Sequence, residues 1–394
     1  MKVEQRFFLD LINSQLNGKK IEQLPSEIDS KVLFDLGARH SLLVMLYYAL
    51  KPFEQKVSKS FLDYLKIHAT KEIAKTIKKQ LDVQSLIENF EKNNVKFLML
   101  KGYWLKDYYP VSEMRYTSDY DILIEEDKIE DIKSLMKQLG YTFMHEDAKH
   151  VAYCSTNMSV AYELHKKIFL GKLKDSFGVG FERAIPNGDS KNFYKLTPED
   201  FYLSILGHAA VHFSENAGVG VRSVIDIYLF NRANKNLDKE YLSKLLEKCA
   251  LTDFSKEMQK LGEFWFDGQK PSEFTLKLSE HILSSSMLEN KDSFGANKII
   301  KSESGKDLSK SKKTALYRKI FPTLKEMCYL YPSLKKCKIH LPFMHVIRWL
   351  KILFTRPKAL KQFKTISNVE QGQVASLREI QLGLGIKDVS MFEE

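Results

Sequence analysis

Apolar residues recur at three- and four-residue intervals from residue 1 to about 90, a period that predicts helices. SKVLFDLGARHSLLVMLYYALK reads as an amphipathic helix or helix pair. FLDYLKIHATKEIAKTIKKQLDVQSLIENFEKN keeps the period until Asn93-Asn94 closes it. The pattern then changes. VKFLML (95–100) is too short for a helix and predicts a buried strand. Lys101-Gly102 ends it, YWLKDYY (103–109) predicts a short helix stopped at Pro110, and SDYDILI (118–124) predicts a second strand. Residues 127–138 return to helical spacing and stop at Gly140. YTFMHE, HVAYCST and VAYELHKKIF predict three further strands, with a hairpin turn at Asn157 between the last two. Residues 95 to about 170 thus form a mixed unit, β-α-β-α-β-β-β in outline.

Helical spacing resumes at TPED, where Thr197 suits an N-cap and Pro198 the first helical position. That helix runs through FYLSILGHAAVHF, the glycines of NAGVGV break it, and RSVIDIYLFNRA begins another. Residues 286–313 are polar and rich in Lys and Ser, and predict a mobile loop or linker. YRKIFPTLKEMCYLYPSLKK and LPFMHVIRWLKILF return to helix, and no internal repeat is present. The expected order is therefore an N-terminal helical region (1–92), an α/β core (93–190), a helical domain (191–285), a polar basic loop (286–315) and a C-terminal helical region (316–394).

The 394-residue length suits two or three domains, and 44% hydrophobic with 28% charged residues is the balance of a globular rather than a disordered chain. The net charge of +11 suits anionic partners such as triphosphates, nucleic acid or an acidic membrane surface. Four scattered cysteines with no CxxC pair argue against a zinc ribbon or a disulfide framework. Neither a signal peptide nor a membrane-spanning apolar run is evident, so a cytoplasmic location is expected.

The chemistry lies where acids interrupt apolar strands. Side chains two apart on a strand share a face, so Asp119 and Asp121 point one way while Tyr120, Ile122 and Ile124 point the other. Two β-carbons so placed lie about 6–7 Å apart, close enough to serve a pair of divalent cations in phosphoryl chemistry. Parity likewise puts Glu163 and His165 together in VAYELHKK. If that strand lies beside SDYDILI, three acids converge. Most D-x-D triplets are surface acids or caps, but an acid in a buried strand loses several kcal/mol of hydration unless cations or donors replace the water. A glycine after a strand and before a short helix, as at Gly102, lets backbone N–H groups approach an anion.

MLKGYWLKDYYPVSEMRYTSDYDILI resembles the core of the bacterial uncharacterised nucleotidyltransferase family, within the polymerase-beta-type nucleotidyltransferase superfamily. The shared features are Leu-Lys-Gly, Tyr-Tyr-Pro, an Arg four residues before Asp-x-Asp, and an apolar tail. LGARHSLLVMLYYALK, YELHKK, GHAAVHF with RSVIDI, and IFPTLKEMCYLYPSLKK are similar to it in the same order, across residues 35 to 355. The resemblance implies an α/β nucleotidyltransferase-like core flanked by helical regions. It also implies Mg²⁺ (or Mn²⁺) on Asp119, Asp121 and Glu163, with a nucleoside triphosphate as substrate facing Lys101 and Gly102. Two positions depart from the superfamily pattern: the turn is Lys-Gly rather than Gly-Ser or Gly-Gly, and the third acid is Glu rather than Asp.

Other residues carry two readings each. Arg115 contacts a phosphate or braces its loop through a carboxylate; His165 binds nucleotide or orients the acid. His208 and His212 share a helix face and, without the Glu of a zinc protease after His208, suit the lining of a cleft. Arg222 forms a local ion pair with Asp226 or closes over the nucleotide. MHVIRWLKILFTRPKALKQF suits a core helix with a basic outer face better than a membrane-surface helix. The leading expectation is a metal-dependent nucleotidyltransferase with an open choice of acceptor: a sugar phosphate, RNA, a peptide or a protein hydroxyl. Its rivals are a nucleotide- or nucleic-acid-binding module without catalysis, and an assembly protein acting through its basic C-terminal helices.

Overall fold

The computed structural model describes residues 1–25, 28–155, 160–178, 180–287, 290, 293–302, 308–355 and 361–386. The expected turn at Asn157 lies outside them. Four helices open the chain: α1 (Val3–Asn17), α2 (Ser30–Arg39), α3 (Leu43–Leu50) and α4 (Lys59–Lys92). The SKVLFDLGARHSLLVMLYYALK segment is thus a pair, parted by Ser41 in the left-handed region (φ 56°). At 34 residues, α4 is long enough, about 50 Å, to serve two cores.

Seven strands follow: β1 (Phe97–Met99), β2 (Asp119–Ile124), β3 (Thr142–Glu146), β4 (His150–Cys154), β5 (Ala161–His165), β6 (Ile185–Pro186) and β7 (Phe193–Lys195). They form one mixed sheet in the order β3-β4-β5-β2-β1-β7-β6. Between them lie the short α5 (Gly102–Leu105) and the helices α6 (Ile129–Gln138) and α7 (Gly171–Phe177). The short strands β6 and β7 carry no alternating apolar pattern of their own; β7 is recruited by pairing parallel to β1, where Phe193 stacks on Phe97 with ring centroids 4.7 Å apart.

The two faces of the sheet differ. On one, Tyr120, Ile122, Ile124, Tyr162 and Leu164 pack under the C-terminal half of α4 and under α6, a dry core that includes Val83, Phe90 and Met136. On the other, Leu98, Leu100 and Leu123 join the large core of the helical body. That body contains α8 (Pro198–Asn216) and α9 (Val221–Ala233), and Thr197 caps α8 by accepting from the Asp200 N–H at 3.3 Å.

The expected loop at 286–315 is largely helical where described. Phe294–Lys301 is a helix with Ala296 and Ile299 buried, and Leu308–Ile320 is another. Ser309, Lys310 and Lys313 lie exposed while Ser302 and Ser311 are buried, and a few buried apolar anchors suffice to order the helices. The Leu341–Thr355 helix also departs from expectation. It is no core helix: Phe343, Val346, Ile347, Leu350, Leu353 and Phe354 are exposed. Among the described residues no helix is long and apolar enough to cross a membrane.

Candidate active site

β2 and β5 run parallel with Asp121 opposite Glu163 and Leu123 opposite His165. Neighbouring strands in register present the same face, so Asp119, Asp121, Glu163 and His165 meet on one side of the sheet. Opposite them stands α8. The space between is a cavity of about 260 Å³, and all ten residues singled out in the sequence line it: Lys101, Gly102, Arg115, Asp119, Asp121, Glu163, His165, His208, His212 and Arg222. Thr117, Ser118, Lys149, His150 and Met287 complete the wall. Larger cavities, two of about 440 Å³ and one of about 290 Å³, lie elsewhere among the described residues, but none of them is lined by a buried carboxylate. Chemistry rather than size distinguishes this one.

Asp121 sits at the centre. Lys101 Nζ lies 3.0 Å from its Oδ2, and His165 Nε2 lies 3.0 Å from its Oδ1. The same His165 nitrogen is 3.3 Å from Glu163 Oε2, so one imidazole orients two acids. His150 Nε2 stands 3.9 Å from the other Glu163 oxygen. Asp119 takes a 2.8 Å hydrogen bond from Ser118 Oγ.

These contacts push the carboxyls apart in acidity. Burial and the neighbouring Asp121 charge raise the Asp119 pKa above the usual carboxylate range. Burial acts the same way on Asp121, but Lys101 and the His165 hydrogen bond outweigh it and hold that pKa well below the usual value. On Glu163 burial is likewise outweighed, chiefly by the His165 hydrogen bond, and its pKa is lowered. His165 shows the reciprocal effect: burial disfavours its charge, yet bonds to Asp121 and Glu163 raise its pKa. His208 is held neutral by burial and by Lys101, its Nε2 3.0 Å from His212 Nε2.

Three of these residues also make contacts within the protein. Arg115 braces its loop: Nε and Nη2 each donate to an Asp226 oxygen at 2.8 Å, and Nη1 reaches Thr117 Oγ1 at 3.4 Å. The expected local pair of Arg222 with Asp226 is accordingly not made. The fork of Arg115 occupies both oxygens, and Arg222 donates instead to the Tyr116 carbonyl at 2.6 Å. Lys101 turns its amine onto Asp121, on a backbone in the left-handed half of the map (φ 27°). Gly102 has a packing reason as well: a Cβ there would lie 3.0 Å from Thr117 Cγ2 and 3.1 Å from Arg115 Nη1.

One support escaped the sequence reading. Lys79 of α4 donates to the Thr117 and Ser118 carbonyls at 2.9 and 2.7 Å, steadying the approach to β2. Its signal was available, since Thr76, Lys79, Val83, Leu86 and Phe90 share a buried helix face on which a lysine is out of place. His150 was also missed as a site residue, although HVAYCST was read as a strand.

Asp121, Glu163 and His165 offer ligand atoms all within 4.8 Å of one another, a spacing that suits a metal ion. An oxygen-rich donor set with one imidazole suits Mg²⁺ or Mn²⁺. Burial and the adjoining Asp121 charge both disfavour ionised Asp119, a strain that a cation there would relieve. A second group, His145, Asp147 and His150, adjoins it on the β3–β4 turn. No curated protein and no solved structure matches the chain. The model of the family described as uncharacterised nucleotidyltransferase matches residues 26–267, more than half of the chain, and the protein belongs to that family.

Proposed function

We propose that the protein is a metal-dependent nucleotidyltransferase that moves a nucleotidyl group from a nucleoside triphosphate to an acceptor and releases pyrophosphate. The observation that carries this reading is the parallel register of Asp121 with Glu163, which gathers three carboxylates from two strands under one cavity. Asp119, Asp121 and Glu163 would hold Mg²⁺ or Mn²⁺, which when bound neutralises phosphate charge and makes the α-phosphorus susceptible to attack. His165 keeps Asp121 and Glu163 turned toward each other. Glu163, the more open of the paired acids with 31% of its side chain exposed, would either hold the second ion or take the proton of the acceptor hydroxyl. The acceptor oxygen bonds to the α-phosphorus as the bond to the bridging oxygen breaks, and pyrophosphate leaves. Lys101, once released from Asp121, supplies positive charge to the phosphates. Arg115 and Asp226 hold the loop that sets β2.

The test is incubation with each α-labelled nucleoside triphosphate, Mg²⁺ or Mn²⁺, and cell extract as the source of acceptor. Labelled product and pyrophosphate are expected from the wild type, with a loss of about 1,000-fold or more in Asp119→Asn/Asp121→Asn. Equal labelling by both proteins would overturn the reading. One observation favours a second reading, a binding module without turnover: both oxygens of Asp121 are engaged by cationic side chains. Calorimetry showing nucleotide binding unaffected by Glu163→Ala, with no pyrophosphate released, would select it.

A further inference from the structure

The three most exposed large apolar side chains among the described residues are Phe354 (83%), Ile339 (82%) and Phe343 (75%). They belong to one stretch. Along the Leu341–Thr355 helix, Phe343, Val346, Ile347, Leu350, Leu353 and Phe354 recur at intervals of three and four, which stacks them in a single stripe. The opposite side of the helix is the one that docks on the protein. Trp349 Nε1 donates to the Ile320 carbonyl at 2.9 Å, and Arg348 donates to the Lys319 carbonyl at 3.2 Å. The stripe therefore faces outward. Beside it opens an apolar cavity of about 440 Å³, between Phe321 and the Val346–Leu350 turn.

Charge narrows what the stripe meets. From Met327 to Val369 the sequence holds nine Lys or Arg and no Asp or Glu. Lys335, Lys336 and Lys338 are exposed just ahead of the helix, and Lys351 is exposed at the border of the stripe. A second copy laid on this face would oppose cations to cations with no acid to pair them. Nucleic acid would satisfy the lysines but leave six apolar side chains in water. A bilayer bearing anionic headgroups answers both demands, with acyl chains against the stripe and headgroups against the lysines.

We propose that the segment Ile339–Phe354, with the lysines before it, docks the protein onto an anionic lipid surface. The helix is too short to span a bilayer, so it lies in the plane of the interface. The docking uses no residue of the carboxylate cavity and does not depend on the reaction assigned to it.

Flotation of the full-length protein with vesicles tests this. With phosphatidylcholine–phosphatidylglycerol vesicles the protein is expected to float, and with pure phosphatidylcholine to remain largely at the bottom. Rising salt is expected to release it. Lys335→Ala/Lys336→Ala/Lys338→Ala is expected to lower partition by about a hundredfold, and Phe343→Ser/Ile347→Ser/Phe354→Ser to abolish flotation while leaving the circular dichroism and thermal melt unchanged. Failure of the wild type to float, or equal flotation with neutral and anionic vesicles, would overturn the proposal. So would lipid-free, concentration-dependent dimerisation that the triple serine variant removes, since the stripe would then belong to a second copy. Recovery of nucleic acid or an acidic protein by this face without flotation would overturn it too.

Discussion

Asp226 and Asp121 each face a cation, and the two regions use the carboxylate differently. Beneath the tyrosine-rich loop, Asp226 accepts two 2.8 Å bonds from Arg115 and a third at 2.8 Å from Tyr109, and the pair is almost sealed from solvent. In the cavity, Asp121 meets the single amine of Lys101 at 3.0 Å and one edge of His165. A guanidinium fork matches a carboxylate in plane and in spacing, whereas an ammonium is a point charge that another cation can replace. The first arrangement is a brace. The second keeps an acid ionised while leaving it exchangeable, as the proposed metal site requires.

The sharpest way to break this contrast is to remove each acid in turn. Asp226→Ala strands the buried Arg115 charge and should destabilise the fold by about 3–5 kcal/mol in urea denaturation. Asp121→Asn should cost far less in the same measurement, because Lys101 sits at an open cavity. Comparable losses from both would mean that Asp121 is structural. A smaller effect is expected at the exchangeable cation itself. Lys101→Met removes the competitor for Asp121, and Mn²⁺ binding followed by calorimetry should tighten on the order of tenfold. Unchanged or weaker binding would place the metal elsewhere.

The smallest effect is one of pH. Because its folded pKa is raised, His165 contributes stability that is fully present below its unfolded value near 6.5 and is lost as pH rises through the folded value. Asp121 has the opposite sign: its lowered folded pKa contributes above the unfolded carboxylate value and is lost only as pH falls through the folded one. The cavity should therefore loosen as pH rises above about 6.5 and through the folded His165 value, and His165→Gln should flatten that slope. Arg115 remains charged throughout, since burial works against its charge but Asp226 more than restores it. A slope unchanged in His165→Gln would assign the effect to another group.

Much of this contrast was legible before the structure. Asp119 with Asp121, and Glu163 with His165, could be paired by parity because a strand has a period of two, while the meeting of the two pairs depended on the strands being neighbours. Thr197-Pro198 marked a helix start for local reasons. The residues that were misread depend on distant partners. Asp226 is one helical turn from Arg222, and sequence proximity favours that pair. A rigid fork 111 residues away took both oxygens instead. Strands β6 and β7 have weak patterns because pairing with β1 and with each other, rather than burial on a face, makes them strands.

By itself, then, the sequence determined which side chains share a face of each element, since backbone periodicity is local and does not wait for folding. It also determined that the C-terminal stretch is cationic and amphipathic. Only the tertiary structure decided that Asp121 lies opposite Glu163, that Lys101 turns inward, that Lys79 reaches from α4 to the start of β2, and that the Phe343–Phe354 stripe looks out rather than in. Those outcomes rest on register and packing between segments far apart in the chain. There the free energy depends on which surfaces meet, and no local pattern encodes that.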